Sequence, residues 1–375
     1  MFTSKTSLLT SAVLSAMLAT STVNATTIAL DYEPSQFADA KGQQALAGFQ
    51  EAATFWESMF TDSVTVNLTI AFDSLGDGIL GGASSTRTVQ SYHNTGFQLI
   101  NDATSVADAI ATDNLQCATQ GESFCGMTFL DTEQDVNGND ITEHDFDGSN
   151  DNFYLDMTQA NAKALGFTTD LFGNPFSATD AYITFSNTFA FDFDPSDGVD
   201  ADKWDFVGVA IHEIGHALGF VSGVDTYDRY NDNDPNPNYA FDLDGYAIAS
   251  TLDIFRYSEE SYQTGKGVKD FRAGGNSYFS IDGGETNYAP FSTGRVTGDG
   301  QQASHWKDHL DIGALDPTAA AGEFVDVTGF DILAFDVIGW DLRSATTTVP
   351  EPSSIALFGL ATLSLVASRS RRRKS

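Results

Sequence analysis

Hydrophobic and polar residues alternate along this chain with two periods, and the changes between them outline its elements. From Ser35 to Phe60 the apolar residues Leu46, Phe49, Ala53, Phe55, Trp56 and Phe60 recur close to every 3.6 residues, which predicts an amphipathic helix packed on a sheet. Val64, Val66, Leu68 and Ile70 then alternate within Ser63 to Phe72, the period of a half-buried strand. Ile79 to Val89, with two glycines and several Ser and Thr, reads as an exposed or edge strand, and Phe97 to Asp113 as a second helix. Ala181 to Phe193 returns to strand character, and Asp205 to Phe220 is strongly helical in pattern. No internal repeat emerges.

Both ends read as addresses rather than as fold. A positive start ending at Lys5, an apolar run from Leu8 to Ala19 and the small-residue site Val23-Asn24-Ala25 form a secretory signal peptide over residues 1–25, with cleavage before Thr26. At the other end, Val349-Pro350-Glu351-Pro352 precedes a mostly apolar stretch from Ser353 to Ser368 and a basic tail. Sixteen mostly apolar residues are marginal for a hydrocarbon core of about 30 Å, but flanking arginines can snorkel, so a short membrane helix is expected with its basic end in the cytoplasm and the main domain outside. The order of parts over 349–375 resembles the PEP-CTERM sorting signal of Gram-negative bacteria. That resemblance implies export across the inner membrane and transient anchoring by the C-terminal helix. It also implies processing by an exosortase-type enzyme and release to the cell surface or medium, into a polysaccharide-rich matrix.

Composition sharpens the picture. Lys and Arg number 18 against 52 Asp and Glu, a formal net charge of -34, and residues 26–348 alone carry 12 basic and 51 acidic residues. The basic residues cluster only at the extreme C-terminus, so a nucleic-acid partner is not expected. The 29 Phe, 12 Tyr and 4 Trp supply enough apolar surface for a sizeable core, which excludes a disordered chain. Cys117 and Cys125 are the only cysteines, and in an exported protein they are expected to form one local disulfide. Asp131 to Asp156 holds nine acidic residues and no Lys or Arg, and Asp225 to Asp244 has the same character. Such oxygen-rich stretches make Ca²⁺ a candidate ligand, although neither fits the twelve-residue calcium-loop pattern and a solvated loop is the plainer reading.

The informative chemistry lies in Phe206 to Phe220, FVGVAIHEIGHALGF. At about 100° per residue, His212 and His216 stand about 40° apart and one turn along a helix, so both imidazoles reach one Zn²⁺. Glu213 falls on the flank beside them, where a carboxylate serves as general base toward a metal-activated water. The surrounding Val207, Val209, Ala210, Ile211, Ala217, Leu218 and Phe220 make the helix buried except where these three polar residues point. A satisfied His/Glu network without metal is the alternative for the same residues. Gly219 suits the left-handed turn that ends such a helix. A zinc site of this kind takes a third protein ligand and keeps an open position. Six residues after His216, where the metzincin pattern places a histidine, stands Ser222.

The sequence resembles the leishmanolysin-like branch of the metzincins, which keeps HExxHxLGF, here His212 to Phe220, and places its third histidine in a distant Ser-His-Trp motif, here Ser304-His305-Trp306. The GALDP stretch (Gly313 to Pro317) and Asp331 to Trp340 resemble the region after the third ligand. The resemblance implies zinc held by His212, His216 and His305; on the residues alone His309, or Asp225 or another acid, stays open for the third position. It also implies an α+β zincin-like fold: a mixed twisted sheet and active-site helix over residues 26–220, and a loop-rich subdomain over 221–345 that supplies the third ligand. Leu315 stands where that family carries a methionine. The expected activity is that of an exported zinc endopeptidase acting on protein or peptide, with Glu213 as its base. The rival is a non-catalytic zinc- or calcium-binding matrix or surface protein on the same shell. A calcium-dependent adhesin is a third reading.

Overall fold

The computed structural model describes residues 25–116, 125–134, 140–230 and 243–343. The expected signal peptide, apart from Ala25, and the C-terminal segment expected to carry the sorting signal and membrane helix lie outside them, as do Cys117 and parts of both acidic stretches. The described residues up to Asp341 belong to one compact unit.

The chain begins with β1 (Thr27–Tyr32), α1 (Ala40–Met59), β2 (Thr65–Asp73), β3 (Gly81–Ser85), β4 (Arg87–Ser91), α2 (Tyr92–Asp102) and α3 (Val106–Asp113). It continues through β5 (Phe129–Gln134), β6 (Asp140–Asp145), α4 (Asn150–Phe153), β7 (Tyr154–Thr158), α5 (Gln159–Ala164) and β8 (Ala181–Ser186). The short strands β9 (Phe191–Asp192) and β10 (Trp204–Asp205) lead into α6 (Phe206–Leu218), followed by α7 (Val224–Arg229). The remainder is loop-rich: β11 (Arg256–Tyr257), α8 (Glu259–Thr264), β12 (Lys269–Asp270), β13 (Tyr278–Phe279), β14 (Ala289–Pro290) and α9 (Gly329–Val337). This is a mixed α+β architecture with one four-stranded sheet and several smaller ones.

The main sheet has the order β1-β2-β8-β3, with β1, β2 and β8 parallel and β3 antiparallel to β8. Alternation along β2 buries Val66, Leu68, Ile70 and Phe72 as its pattern predicts. Helix α1 buries Phe49, Ala52, Ala53 and Trp56 and packs against α6. Fully burying an aromatic side chain of this size contributes about 1.5–3 kcal/mol. Phe206, the first residue of α6, meets Phe49, Phe185 and Phe191 edge-on or tilted at 4.8–5.2 Å between ring centroids. A Cβ at Gly48 would lie 2.4 Å from the Phe206 ring, so a glycine there permits the two helices to approach.

Four expected elements differ in outline, one of them the strand expected over 181–193, which is divided into β8 and the two-residue β9 of a different sheet. The helix expected over 35–60 starts at Ala40, because Asp39 caps it by accepting from Gly42 N after a 3₁₀ turn at Pro34–Phe37. The helix expected over 97–113 is two helices: Ser105 and Asp108 form a capping box that restarts the chain after Ala103 and Thr104. The strand expected over 79–89 is divided at Thr86, with β3 pairing to β8 and β4 to β7. Helix α6 ends at Gly219, which takes φ of 128°.

Candidate active site

Helix α6 is positioned at three points before its chemistry is reached. Asp205 accepts Gly208 N at 2.9 Å at its start, Trp56 Nε1 donates to Ile211 O at 3.0 Å, and Trp340 Nε1 donates to Leu218 O at 2.9 Å. These bonds anchor a helix whose residues are buried apart from the side chains of His212 and His216.

Among the described residues two groups of three side chains stand close enough to share a cation: His212, His216 and His305, and Asp145, Asp151 and Asp244. In the first, His216 Nε2 lies 3.0 Å from His212 Nε2 and 3.1 Å from His305 Nε2. The opposite ring nitrogens are all committed to carbonyl oxygens. His212 Nδ1 meets Ala314 O at 2.8 Å, His216 Nδ1 meets Phe220 O at 2.7 Å, and His305 Nδ1 meets Gln302 O at 3.2 Å. A carbonyl only accepts, so each Nδ1 carries the proton and each neutral ring presents a bare Nε2 lone pair. Burial, and then the neighbouring imidazole, lowers each of the three from an ordinary value of 6.5 to about 3, so they stay neutral across the physiological range. The lone pair of His216 Nε2 lies about 3 Å from those of His212 and His305, all three within 4.8 Å of one another, and with no proton between them they repel. A cation among them turns that repulsion into bonding, and the donor set therefore fits a metal that prefers imidazole.

Glu213 is buried beside this group, and burial raises its carboxyl from 4.5 to about 7, against a lowering hydrogen bond from the Ala83 backbone of β3. Glu213 and His212 line a cleft of about 760 Å³ together with Ile79 and Leu80 ahead of β3, Gln302, and the segment around Gly313 to Ala319. β3 is an edge of the main sheet and packs directly on α6.

The other sequence candidates fall elsewhere. His309 is exposed, with φ of 60°, and lies 3.3 Å from Asp308. Asp225 lies behind the third histidine, where its carboxylate accepts Ala303 N at 2.7 Å and Ser304 N at 3.1 Å and also bonds Ser304 Oγ. Ser222 has a structural role: its N–H donates to Ser304 Oγ at 2.9 Å and its hydroxyl to Asp253 Oδ1 at 2.5 Å. Leu315 is fully buried and lies against Gly215, in the turn of α6 that separates the two histidines. Cys125 is half of a disulfide, and Cys117, the only other cysteine of the chain, lies outside the described residues.

Sequence reasoning missed Asp331. Fully buried at the start of α9, it accepts Trp306 Nε1, Ala314 N, Leu315 N and Thr328 N at 2.7, 2.9, 3.3 and 2.7 Å. The signal available was the Thr328-x-x-Asp331 spacing of a capping box, which reads as a helix start and hides the clamp on Trp306 and the 314–315 loop.

A family model of the PEP-CTERM protein-sorting motif matches residues 348–373, so the chain carries the mark of export to the cell envelope or surface through an exosortase. No helix among the described residues is long and apolar enough to cross a membrane. No curated protein and no solved structure matches the chain.

Proposed function

We propose that the protein is an exported zinc endopeptidase of leishmanolysin-like, zincin type. The observation that supports it best is the convergence of three bare Nε2 atoms beside a cleft that His212 and Glu213 line and an edge strand borders. Held by His212, His216 and His305, Zn²⁺ supplies the Lewis acidity that polarises a carbonyl and acidifies a water.

The chain's own groups account for the remaining work. The free edge of β3 can bind a substrate backbone as an added strand, which holds the scissile peptide over α6. Glu213 takes the proton of the attacking water and, once protonated, returns it to the leaving nitrogen. Its burial and the Ala83 N–H from β3 keep the carboxyl where that strand would present a substrate, with a proton affinity suited to both transfers. Leu315 fills the space beneath the two helix-borne histidines without offering a ligand atom. The C-terminal motif supports exosortase processing at the cell envelope, and a Gram-negative cell that releases the enzyme into a polysaccharide matrix is the setting proposed around it.

The test is degradation of a denatured protein mixture by purified protein and by Glu213→Gln, with zinc quantified in both. Wild type should cut, both should hold about one zinc, and the variant should lose a hundredfold or more of the rate, on the order of a general base's contribution. One zinc in both with no cleavage by either would favour the non-catalytic matrix-protein reading.

A further inference from the structure

We propose that two carboxylates, Asp331 and Asp225, are positioning residues that each act on one histidine of the trio across a single peptide group, while His216 has no such partner. This rests on the metal-site reading above.

The first path starts at His212. Its Nδ1–H donates to Ala314 O at 2.8 Å, and the N–H of that same peptide, on Leu315, donates to Asp331 Oδ1 at 3.3 Å. The second path repeats the arrangement on a different segment. His305 Nδ1–H donates to Gln302 O at 3.2 Å, and the N–H of that peptide, on Ala303, donates to Asp225 Oδ1 at 2.7 Å. His216 supplies an internal contrast: its Nδ1–H donates to Phe220 O, but the N–H of that peptide, on Val221, meets the neutral carbonyl of Gly219 at 2.8 Å.

A carboxylate at the N–H end of an amide pulls its dipole into line and increases the negative charge on its oxygen. That oxygen then grips the Nδ1–H more strongly, fixes the ring and pushes electron density toward Nε2. This is the effect of a carboxylate bonded directly to a ligand histidine, relayed here through one peptide. The loop at Gly313 passes close enough for this because it lacks a side chain: a Cβ there would sit 2.1 Å from Asp331 Oδ2. Asp331 is fully buried, so water does not screen its charge.

The experiment is ¹⁵N-histidine NMR of the full chain, following the three Nδ1–H resonances in metal-free protein, together with zinc affinity by competition with a chromophoric chelator. Asp331→Asn should move the His212 resonance upfield and leave His216 unmoved; Asp225→Asn should do the same to His305. Each should weaken zinc about tenfold to a hundredfold. Trp306→Phe covers the case in which Asp331→Asn does not fold. It removes a competing donor from Asp331 Oδ1, so the His212 resonance should move downfield, opposite to a loss of packing. Movement of all three resonances together in either Asn variant, or no downfield movement in Trp306→Phe, would overturn the proposal. Failure of the wild type to bind zinc would sink the metal-site reading instead, while the resonances would still decide the relays.

Discussion

Replacing Asp62 with asparagine is expected to stabilise the protein in mildly alkaline solution and to leave it unchanged in acid. Asp62 is 7 % exposed, its Oδ2 accepts Asp341 N at 3.1 Å, and the charges acting on it are those of Asp341 and Asp102. None of the ion pairs among the described residues involves Asp62, Asp102 or Asp341. Burial first, and then the two neighbouring carboxylates, raise Asp62 from 3.8 to about 7. The folded state therefore binds a proton there that the unfolded state releases near pH 4. Its stabilising effect is complete below about pH 4 and disappears as pH rises through about 7. A rise of about three units corresponds to about 4 kcal/mol, the largest gain the variant can show at pH 8.5.

Asparagine has the same shape and keeps an oxygen for Asp341 N, so the two proteins should match at pH 4. Urea unfolding with the disulfide intact, repeated from pH 4 to 8.5, reads the difference directly. The wild-type curve should fall across this range and the variant's should fall less, retaining a slope from Asp102, which is also raised to about 7. Parallel curves separated by a constant gap would refute the reasoning, because they would assign the effect to packing and not to charge.

Two further outcomes follow from the site. His305→Ala should lose zinc while His309→Ala keeps about one per chain, measured by elemental analysis after dialysis; the reverse result would reassign the third ligand. Leu315→Ala should cost roughly 2–5 kcal/mol in denaturant unfolding, because it empties a fully buried position, whereas Leu315→Met should cost less than about 1.5 kcal/mol with zinc content unchanged.

The parts of this molecule that were legible in the sequence are those whose information is local. The period-two burial of Val66 to Phe72 and the apolar run around His212, Glu213 and His216 depend on neighbours a few residues away, and both appear where the pattern puts them. The break between α2 and α3 is local too, but the polar Thr104 and Ser105 were outweighed by apolar residues on either side of the capping box. The C-terminal half was illegible in detail because its strands are two residues long and carry no period. The roles of Asp331 and Asp225 were illegible for a different reason: their partners are mainly backbone N–H groups of other segments, which every residue type except proline supplies.

That last point bears on how a histidine 89 residues beyond His216 can stand 3.1 Å from it. Closing a flexible loop of that length rather than one of six residues costs only about 2 kcal/mol more, since the entropy grows with the logarithm of length. The intervening chain offsets this by closing on itself. Ser222, where the chain leaves, donates to Ser304, where it returns, and Asp253 between them accepts from both Ser222 Oγ and Gly223 N. Asp253 also accepts from buried Arg256, whose guanidinium reaches Ala303 O, two residues before His305. The place of His305 is therefore set by contacts at both ends of this stretch and by Asp253 and Arg256 within it, and the serine at position 222 is part of that support.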